Sequence, residues 1–373
     1  MSRARDFADL AGSADAGGIT GRNMLINGAM QVNQRGDQTT STTTNNYFVD
    51  RFNVYIQATA VASLTQSTDV PSGQGFSHSA KIDVTTANAS PAAGDQAHFR
   101  QILEGQDLQH LCYGTSSAKK LTLSFWVKSS KTGTHIIEFY NDASGGAKQQ
   151  SQSYTINAAD TWEHKTITID GDTSTSIDNT STTELYVQWV LQAGSNYQSG
   201  TLNTSWNSPT TANRYVGQVN FFDNTSNNMY VTGAQLEVGS QGTPFEHRSF
   251  GDELRRCQRY YETSFDSAPS TTNTSNNGLI ASGGISGDTT TSFSPEASAT
   301  YKVRKRTVPT VTFYDLATGR NTGKCHRFQL GAQAHDDSAL TIEDSGLSRF
   351  NAYSGNGGAC SGIAFHYEAD AEL

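Results

Sequence analysis

Charged side chains are scarce in this chain. Only 16% of its 373 residues are Asp, Glu, Lys or Arg, against about 25% in an average soluble protein. The balance is acidic, with 26 Lys and Arg against 35 Asp and Glu and a net charge of −9. Broad binding to a phosphate backbone needs a basic surface, so no nucleic-acid partner is expected. No run approaches the roughly 20 apolar residues that span a bilayer, so no membrane insertion is expected. The first ten residues carry charges with no apolar segment behind them, unlike a secretory signal peptide. The four cysteines, Cys112, Cys257, Cys325 and Cys360, lie far apart and offer no zinc-ligand spacing. A chain without a secretory signal keeps its thiols reduced, and all four are expected as small buried apolar side chains. Coiled-coil heptads are absent. So are the nucleophile elbow, the Walker loop, HExxH and GxGxxG. No internal repeat points to a solenoid. The expectation is a protein with no cofactor, no metal and no catalytic residue.

What is abundant points to β structure. Ser, Thr and Asn make up about 30% of the chain, and aromatic residues reach 10%. Disordered chains are poor in aromatics, so this one should fold. Its length suits two or three domains. From Asn23 to about Phe245, strand follows strand. Leu121-Thr122-Leu123-Ser124-Phe125-Trp126-Val127-Lys128 alternates with period two and places Leu121, Leu123, Phe125 and Val127 on one face. Further strands are read at Ile136–Tyr140, 162–170, 185–191 and 229–238, with Asn-Asp and Gly-Gly turn signals between them. Short strands with turn residues between them predict an all-β sandwich or barrel. One helix is predicted after Ser249, with Asp252 and Glu253 at its positive end and Arg255, Arg256 and Arg259 toward the other. Leu254, Cys257 and Tyr261 should share one of its faces.

The expected organisation is an N-terminal arm over 1–22, a β-sandwich over 23–248, a connecting helix and linker over 249–277, and a smaller C-terminal β-sandwich over 278–373. On the arm, Phe7, Leu10 and Ala11 have the spacing of one short amphipathic turn before a Gly-rich break. Such a stripe is read as a docking element or as a frayed terminus.

Several segments resemble bacteriophage tail-fibre and related virion proteins. Gly21-Arg22-Asn23-Met24-Leu25-Ile26-Asn27-Gly28-Ala29-Met30-Gln31-Val32-Asn33-Gln34-Arg35-Gly36, followed by Tyr47-Phe48-Val49-Asp50-Arg51-Phe52, is similar to their opening segment. Phe125-Trp126-Val127-Lys128 and Asp160-Thr161-Trp162-Glu163 are similar to inner strands of their jelly roll, which itself resembles carbohydrate-binding modules. Gly233-Ala234-Gln235-Leu236-Glu237-Val238-Gly239 with Thr243-Pro244-Phe245-Glu246 resembles its closing strand, and the chain end Tyr367-Glu368-Ala369-Asp370-Ala371-Glu372-Leu373 resembles theirs. The resemblance implies a non-enzymatic host-attachment protein of the virion, assembled in the host cytoplasm and acting outside the cell. Phe7 and Leu10 would anchor the arm to tail or adaptor proteins, a homotrimer is implied, and host surface polysaccharide is the implied partner. A structural virion component and a glycan-cleaving tailspike are the alternatives. Carbohydrate-binding jelly rolls often hold calcium near the opening motif, but Asn27-Gly28-Ala29-Met30-Gln31 has no carboxylate.

Glycan contact needs flat apolar faces beside amides and hydroxyls. Trp206 fits, lying with Tyr197 and Asn207 in a long polar loop; the alternative is a tryptophan that pins the loop to the sandwich. Trp126 points away from the Leu121/Phe125 face, so it is expected on an exposed sheet surface. Trp162 and Trp189 are expected in the core. The basic run Tyr301-Lys302-Val303-Arg304-Lys305-Arg306, read as a strand, puts Lys302, Arg304 and Arg306 on one side, either as a solvated edge or toward an acidic partner. Cys325-His326 and His335-Asp336-Asp337 lack the spacing of a metal set.

Overall fold

The computed structural model describes residues 21–41, 45–266, 276–282, 295–316, 322–329, 332–354 and 362–373. Phe7 and Leu10 lie outside these residues. The chain divides into two compact units, one comprising the residues up to Phe250 with Leu373, the other Gly251–Glu372.

Among its described residues the first unit has twelve strands. They are β1 (Gln38–Ser41), β2 (Asn46–Tyr47), β3 (Phe52–Gln57), β4 (Val61–Ser67), β5 (Ser79–Thr86) and β6 (Gln96–Glu104). Then come β7 (Leu121–Ser129), β8 (Gly133–Asn141), β9 (Lys148–Ile156), β10 (Glu163–Ile169), β11 (Thr183–Ala193) and β12 (Asn228–Val238). They form two six-stranded sheets, the first in the order β1-β4-β5-β12-β7-β10 and the second in the order β2-β3-β6-β11-β8-β9. This is an all-β jelly-roll sandwich: the alternating pattern predicts the sandwich, and the family resemblance implies the jelly roll.

Period-two alternation decides which side chains fill the space between the sheets. Leu121, Leu123, Phe125 and Val127 of β7 are fully buried, as are Val187, Trp189 and Leu191 of β11. Trp189 sits at the centre, its ring 5.6 Å from Phe99 and 5.4 Å edge-on to Phe125. Trp162, expected in the core, is only half-buried, and its indole donates to Asp69 Oδ1 at 3.0 Å. It lies just before β10 begins, where its ring meets Tyr230 and Lys128 rather than the interior.

Strand β12 keeps its apolar side inward only because it slips by one residue. Its register with β7 shifts between Thr232 and Gln235, where Gly233 has φ +62°. Met229 and Val231 point inward before the slip, Ala234 and Leu236 after it. A Cβ at Gly233 would lie 2.6 Å from the Phe76 ring. The opening segment closes on this bulge. The Asn23 side chain donates to Ala234 O at 3.0 Å and accepts from Leu25 N and Leu236 N, both at 3.0 Å. The Ala234 amide donates to Gly28 O at 2.9 Å. Asn27, at φ +61°, bonds both polar atoms of Val32 and the Asp50 carbonyl. Glu246 accepts from the amides of Gly21 and Asn23, which holds its carboxyl below the usual range against the opposing effect of burial. These contacts are the physical content of the opening and closing motifs.

The second unit begins with a helix, α1 (Phe250–Gln258), whose first turn carries Asp252 and Glu253 and whose last carries Arg255 and Arg256. The helix stops before Tyr261, which does not share its face. Residues 261–263 form β13 (Tyr261–Thr263), paired with the last strand, so this part of the expected linker belongs to the sheet. The other strands are β14 (Ile280–Ala281), β15 (Glu296–Thr300), β16 (Thr310–Tyr314), β17 (Lys324–Gln329), β18 (Ala332–Ser345), β19 (Arg349–Ser354) and β20 (Gly362–Asp370). The sheet runs β13-β20-β17-β18-β19-β15, and β14 and β16 also pair with β20. Strands β19 and β20 are not neighbours, yet Phe350 lies 5.1 Å from Tyr367. The sheet is therefore folded over its own apolar core.

The basic run is not a strand. Lys305 is fully buried, with its ammonium 2.9 Å from the fully buried Glu262. Burial pulls the Lys305 pKa down, and Glu262 works against that shift. Lys302 donates to Thr263 O, and Arg306 to the carbonyls of Ala371 and Glu372. Three of the run's cations thus bond to groups within the second unit. Cysteine placement is also mixed: Cys257 and Cys325 are buried, but Cys112 is exposed at a left-handed turn with φ +54°.

The lock between the opening segment and β12 depends on Gly28, where a Cβ would fall 2.0 Å from Ala234 O, a backbone atom. Gly28→Ala should destabilise the first unit by about 2–3 kcal/mol through overpacking. Chemical denaturation checks this; an unchanged midpoint would show that the segment can shift freely.

Candidate functional site

Residues that alternate away from the core on the second sheet form an organised polar and aromatic face. Strand register places Asn53, Arg100, Gln188, Glu138 and Ser151 in one row across five strands. Cross-strand neighbours lie about 5 Å apart, so such a row is continuous. Tyrosines flank it. Tyr55 stands opposite His98 on one side, and Tyr186 opposite Tyr140 on the other.

Glu138 organises the row. Its side chain is fully buried, and its carboxylate accepts from Arg214 Nε at 2.7 Å and Nη2 at 2.8 Å. It also accepts from Tyr215 Oη at 3.1 Å and Gln188 Nε2 at 2.7 Å. Arg214 and Tyr215 come from the loop between β11 and β12, not from the sheet. This loop lies on the sheet's outer face: Tyr215 packs with Ile136, Val190 and Ala193, and Tyr197 and Leu202 pack against that cluster. The forked ion pair and the small cluster together fix the loop. Burial works to lower the Arg214 pKa, but the adjoining carboxylate raises it above its ordinary value.

Arginines and tyrosines interleave along this face. The Arg214 guanidinium lies 5.3 Å from the Tyr140 ring and 5.0 Å from Tyr215, and Tyr215 stacks on Tyr197 at 5.3 Å. Arg100 lies 4.7 Å from Tyr55 and 5.3 Å from Tyr186. The rings of Tyr140 and Tyr186 meet edge-on at 5.8 Å. His98 is buried between Tyr55 and Tyr215, and neither ring nitrogen has a partner in the described structure. Burial first, then Arg100 and Arg214, push its pKa well below the ordinary imidazole value, so it is neutral at physiological pH. Tyr55, Tyr140, Tyr186 and Tyr197 are half-buried.

The four residues singled out by sequence do not come together. Tyr197 belongs to this face. Trp206 is half-buried against the main core, its indole donates to Asp170 O at 2.7 Å, and its ring meets Tyr113 edge-on at 5.8 Å. It pins its loop to the sandwich. Asn207 pairs through its backbone with Gln149, and Asn203 O accepts from Ser151 N, so this stretch covers the free edge of β9. Trp126 is on the other sheet, half-buried beside His164 at 5.1 Å. On that sheet Lys128 also sits 4.4 Å from Tyr230 and pairs with Asp69. Sequence reading missed Tyr55, Arg100, Glu138, Tyr140, Tyr186 and Arg214. The available signal was the outward half of each alternating strand, as in Glu138-Phe139-Tyr140 and Tyr186-Val187-Gln188.

No family model matches the chain, and no curated protein matches it. Solved structures align with part of it. The enzymatically active domain of bacteriophage CBA120 tailspike protein 4 aligns at 15% identity and a TM-score of 0.32, covering 58% of this chain and 21% of the tailspike chain. The C-terminal family 22 carbohydrate-binding module of Clostridium thermocellum Xyn10B aligns at 15% identity and a TM-score of 0.28, covering 56% of this chain and 98% of the module. The family 11 carbohydrate-binding module of a Clostridium thermocellum cellulosomal cellulase gives 11% identity and a TM-score of 0.27, over 54% of this chain and 96% of the module. These likenesses are remote, and the functional reading rests on the side chains.

Among the described residues, no group of three or more His, Cys, Asp or Glu side chains gathers as a metal site. Glu138 is committed to the row and the loop. Glu138→Ala should cost about 3 kcal/mol by leaving Arg214 without its counter-charge, whereas Glu138→Gln, which keeps a hydrogen-bond acceptor, should cost less. Denaturation of both variants checks this. Equal small losses would show that the ion pair does not hold the loop.

Proposed function

We propose that the first unit binds carbohydrate on the outer face of its second sheet and does not cleave it. The observation that carries this reading is the set of half-exposed tyrosines, Tyr55, Tyr140, Tyr186 and Tyr197, arranged around one row of amide, guanidinium and carboxylate groups. Sugar rings offer flat C–H faces to aromatic rings and a rim of hydroxyls to polar side chains. A rigid sheet holding both kinds of group in fixed register suits that chemistry. The polar groups are already bonded to one another, so binding needs little reordering of side chains.

The resemblance of the opening and closing segments to phage fibre proteins supports a wider reading. In it the protein is a virion component that attaches the particle to host surface glycans, with residues 1–22 joining it to tail or adaptor proteins. A trimer would present several copies of the face, and weak sites would add through multivalency. Loss of residues 1–22 should then leave folding and oligomerisation intact and abolish incorporation into particles. Normal incorporation of the truncated protein would remove the anchoring role.

Labelled full-length protein should bind host cells and lose that binding after periodate oxidation of their surface glycans. Tyr186→Ala and Tyr55→Ala should each weaken binding by about fivefold or more, since one aromatic contact contributes about 1 kcal/mol. Trp206→Ala should act mainly on stability. No binding by the folded protein would favour a packing role in the virion, and release of reducing ends from host polysaccharide would contradict the non-enzymatic reading.

A further inference from the structure

Arg100 is a cation at the centre of this face, and among the described residues it forms no ion pair. Its guanidinium donates only to amide oxygens: Asn53 Oδ1 at 3.1 Å, Gln188 Oε1 at 3.4 Å and Asn45 Oδ1. Burial lowers its pKa, and the rings beside it are those of Tyr55 and Tyr186. The other arginine of the face, Arg214, has a buried carboxylate of its own. Asp142, at the exposed end of the tyrosine pair, acts on Tyr140 and Tyr186 and is not among the groups that act on Arg100. A guanidinium taken largely out of water ordinarily gains a carboxylate partner, because its desolvation is costly. Here none of the described carboxylates is placed against it. Beside this cation the buried His98 ring keeps both nitrogens without partners.

Resting on the carbohydrate reading above, we propose that the face is selective for acidic saccharides, with Arg100 receiving the carboxylate of a uronic-acid-type sugar whose ring lies against Tyr55 or Tyr186. A planar carboxylate matches the guanidinium fork, and the bond is charge-assisted, stronger than one to a hydroxyl. The tyrosine rings on either side keep water from the pair and serve the sugar's apolar face, which a bare anion lacks. Selectivity therefore requires ring and charge together.

The test is a printed array on which polygalacturonate, polyglucuronate and alginate each stand beside their carboxyl-reduced polymers, with host-cell polysaccharide and dextran sulfate alongside. Labelled full-length protein should bind at least one uronate polymer about tenfold or more tightly than its reduced partner. Arg100→Gln should abolish that difference while leaving the weaker, tyrosine-dependent binding to the reduced polymer. The comparison of native and reduced polymers uses the unaltered protein, so it decides the matter even if Arg100→Gln fails to fold. Equal binding to native and reduced polymers, lost in Tyr186→Ala, would overturn the acidic preference and leave the carbohydrate reading in place. Binding to dextran sulfate as tight as to any uronate, and unaffected by Tyr186→Ala, would show mere ion exchange and overturn the proposal. No binding to any polymer, host polysaccharide included, would overturn the carbohydrate reading itself.

Discussion

The buried carboxylate of Glu138 is the constraint on which the candidate site depends. Left alone, an ionised group in that position would be costly, and its four contacts come from two separate parts of the chain, strand β11 and the loop after it. Gln188 ties it to the neighbouring strand and, through its amide oxygen, to Arg100. Arg214 and Tyr215 tie it to a loop that would otherwise leave the sheet. Satisfying one charge thus fixes the loop, orients Tyr197 through its stack on Tyr215, and aligns a row of polar groups between two sets of tyrosines. Because the network is closed, the face is ordered before any ligand arrives.

A second constraint holds the sandwich that carries this face. The opening segment and β12 meet through Asn23, Gly28 and the bulge at Gly233, with almost no tolerance for a side chain at either glycine. The bulge lets β12 keep Met229, Val231, Ala234 and Leu236 on the apolar side across a slip in register. The lock therefore protects the core of one sheet, while the site occupies the far surface of the other. The half-buried tyrosines of the face lie outside this lock and outside the Glu138 ion pair, so their variants separate binding from folding.

Alternation made the fold legible in the sequence. Leu121, Leu123, Phe125 and Val127 declared the inward face of β7, and the same rule turned Trp126 outward. The site was harder to see because its members are spread over β3, β6, β8, β11 and one loop, and only strand order brings them together. Sequence showed that Tyr186 and Glu138 each lie on a strand; it could not show that β8 and β11 pair in the register that sets Tyr140 beside Tyr186. For Trp206 the sequence left two readings, glycan contact or a pin for its loop; the loop's polarity serves to pair with the edge of β9, and the indole turns inward to Asp170. The basic run was read as a strand with Lys302, Arg304 and Arg306 on one side, and nothing local marks Lys305 as the partner of the buried Glu262, 43 residues earlier. Long-range ion pairs of this kind leave no local pattern.

Hydroxyl-radical footprinting of the full-length protein, with and without host surface polysaccharide, tests the central claim most directly. It reads each aromatic ring separately, so both sheets are examined in one experiment. The account predicts protection of Tyr55, Tyr140, Tyr186 and Tyr197, with Trp126 and Trp162 unchanged. Protection of Trp126 and Trp162 with those tyrosines unchanged would place binding on the opposite sheet and contradict it.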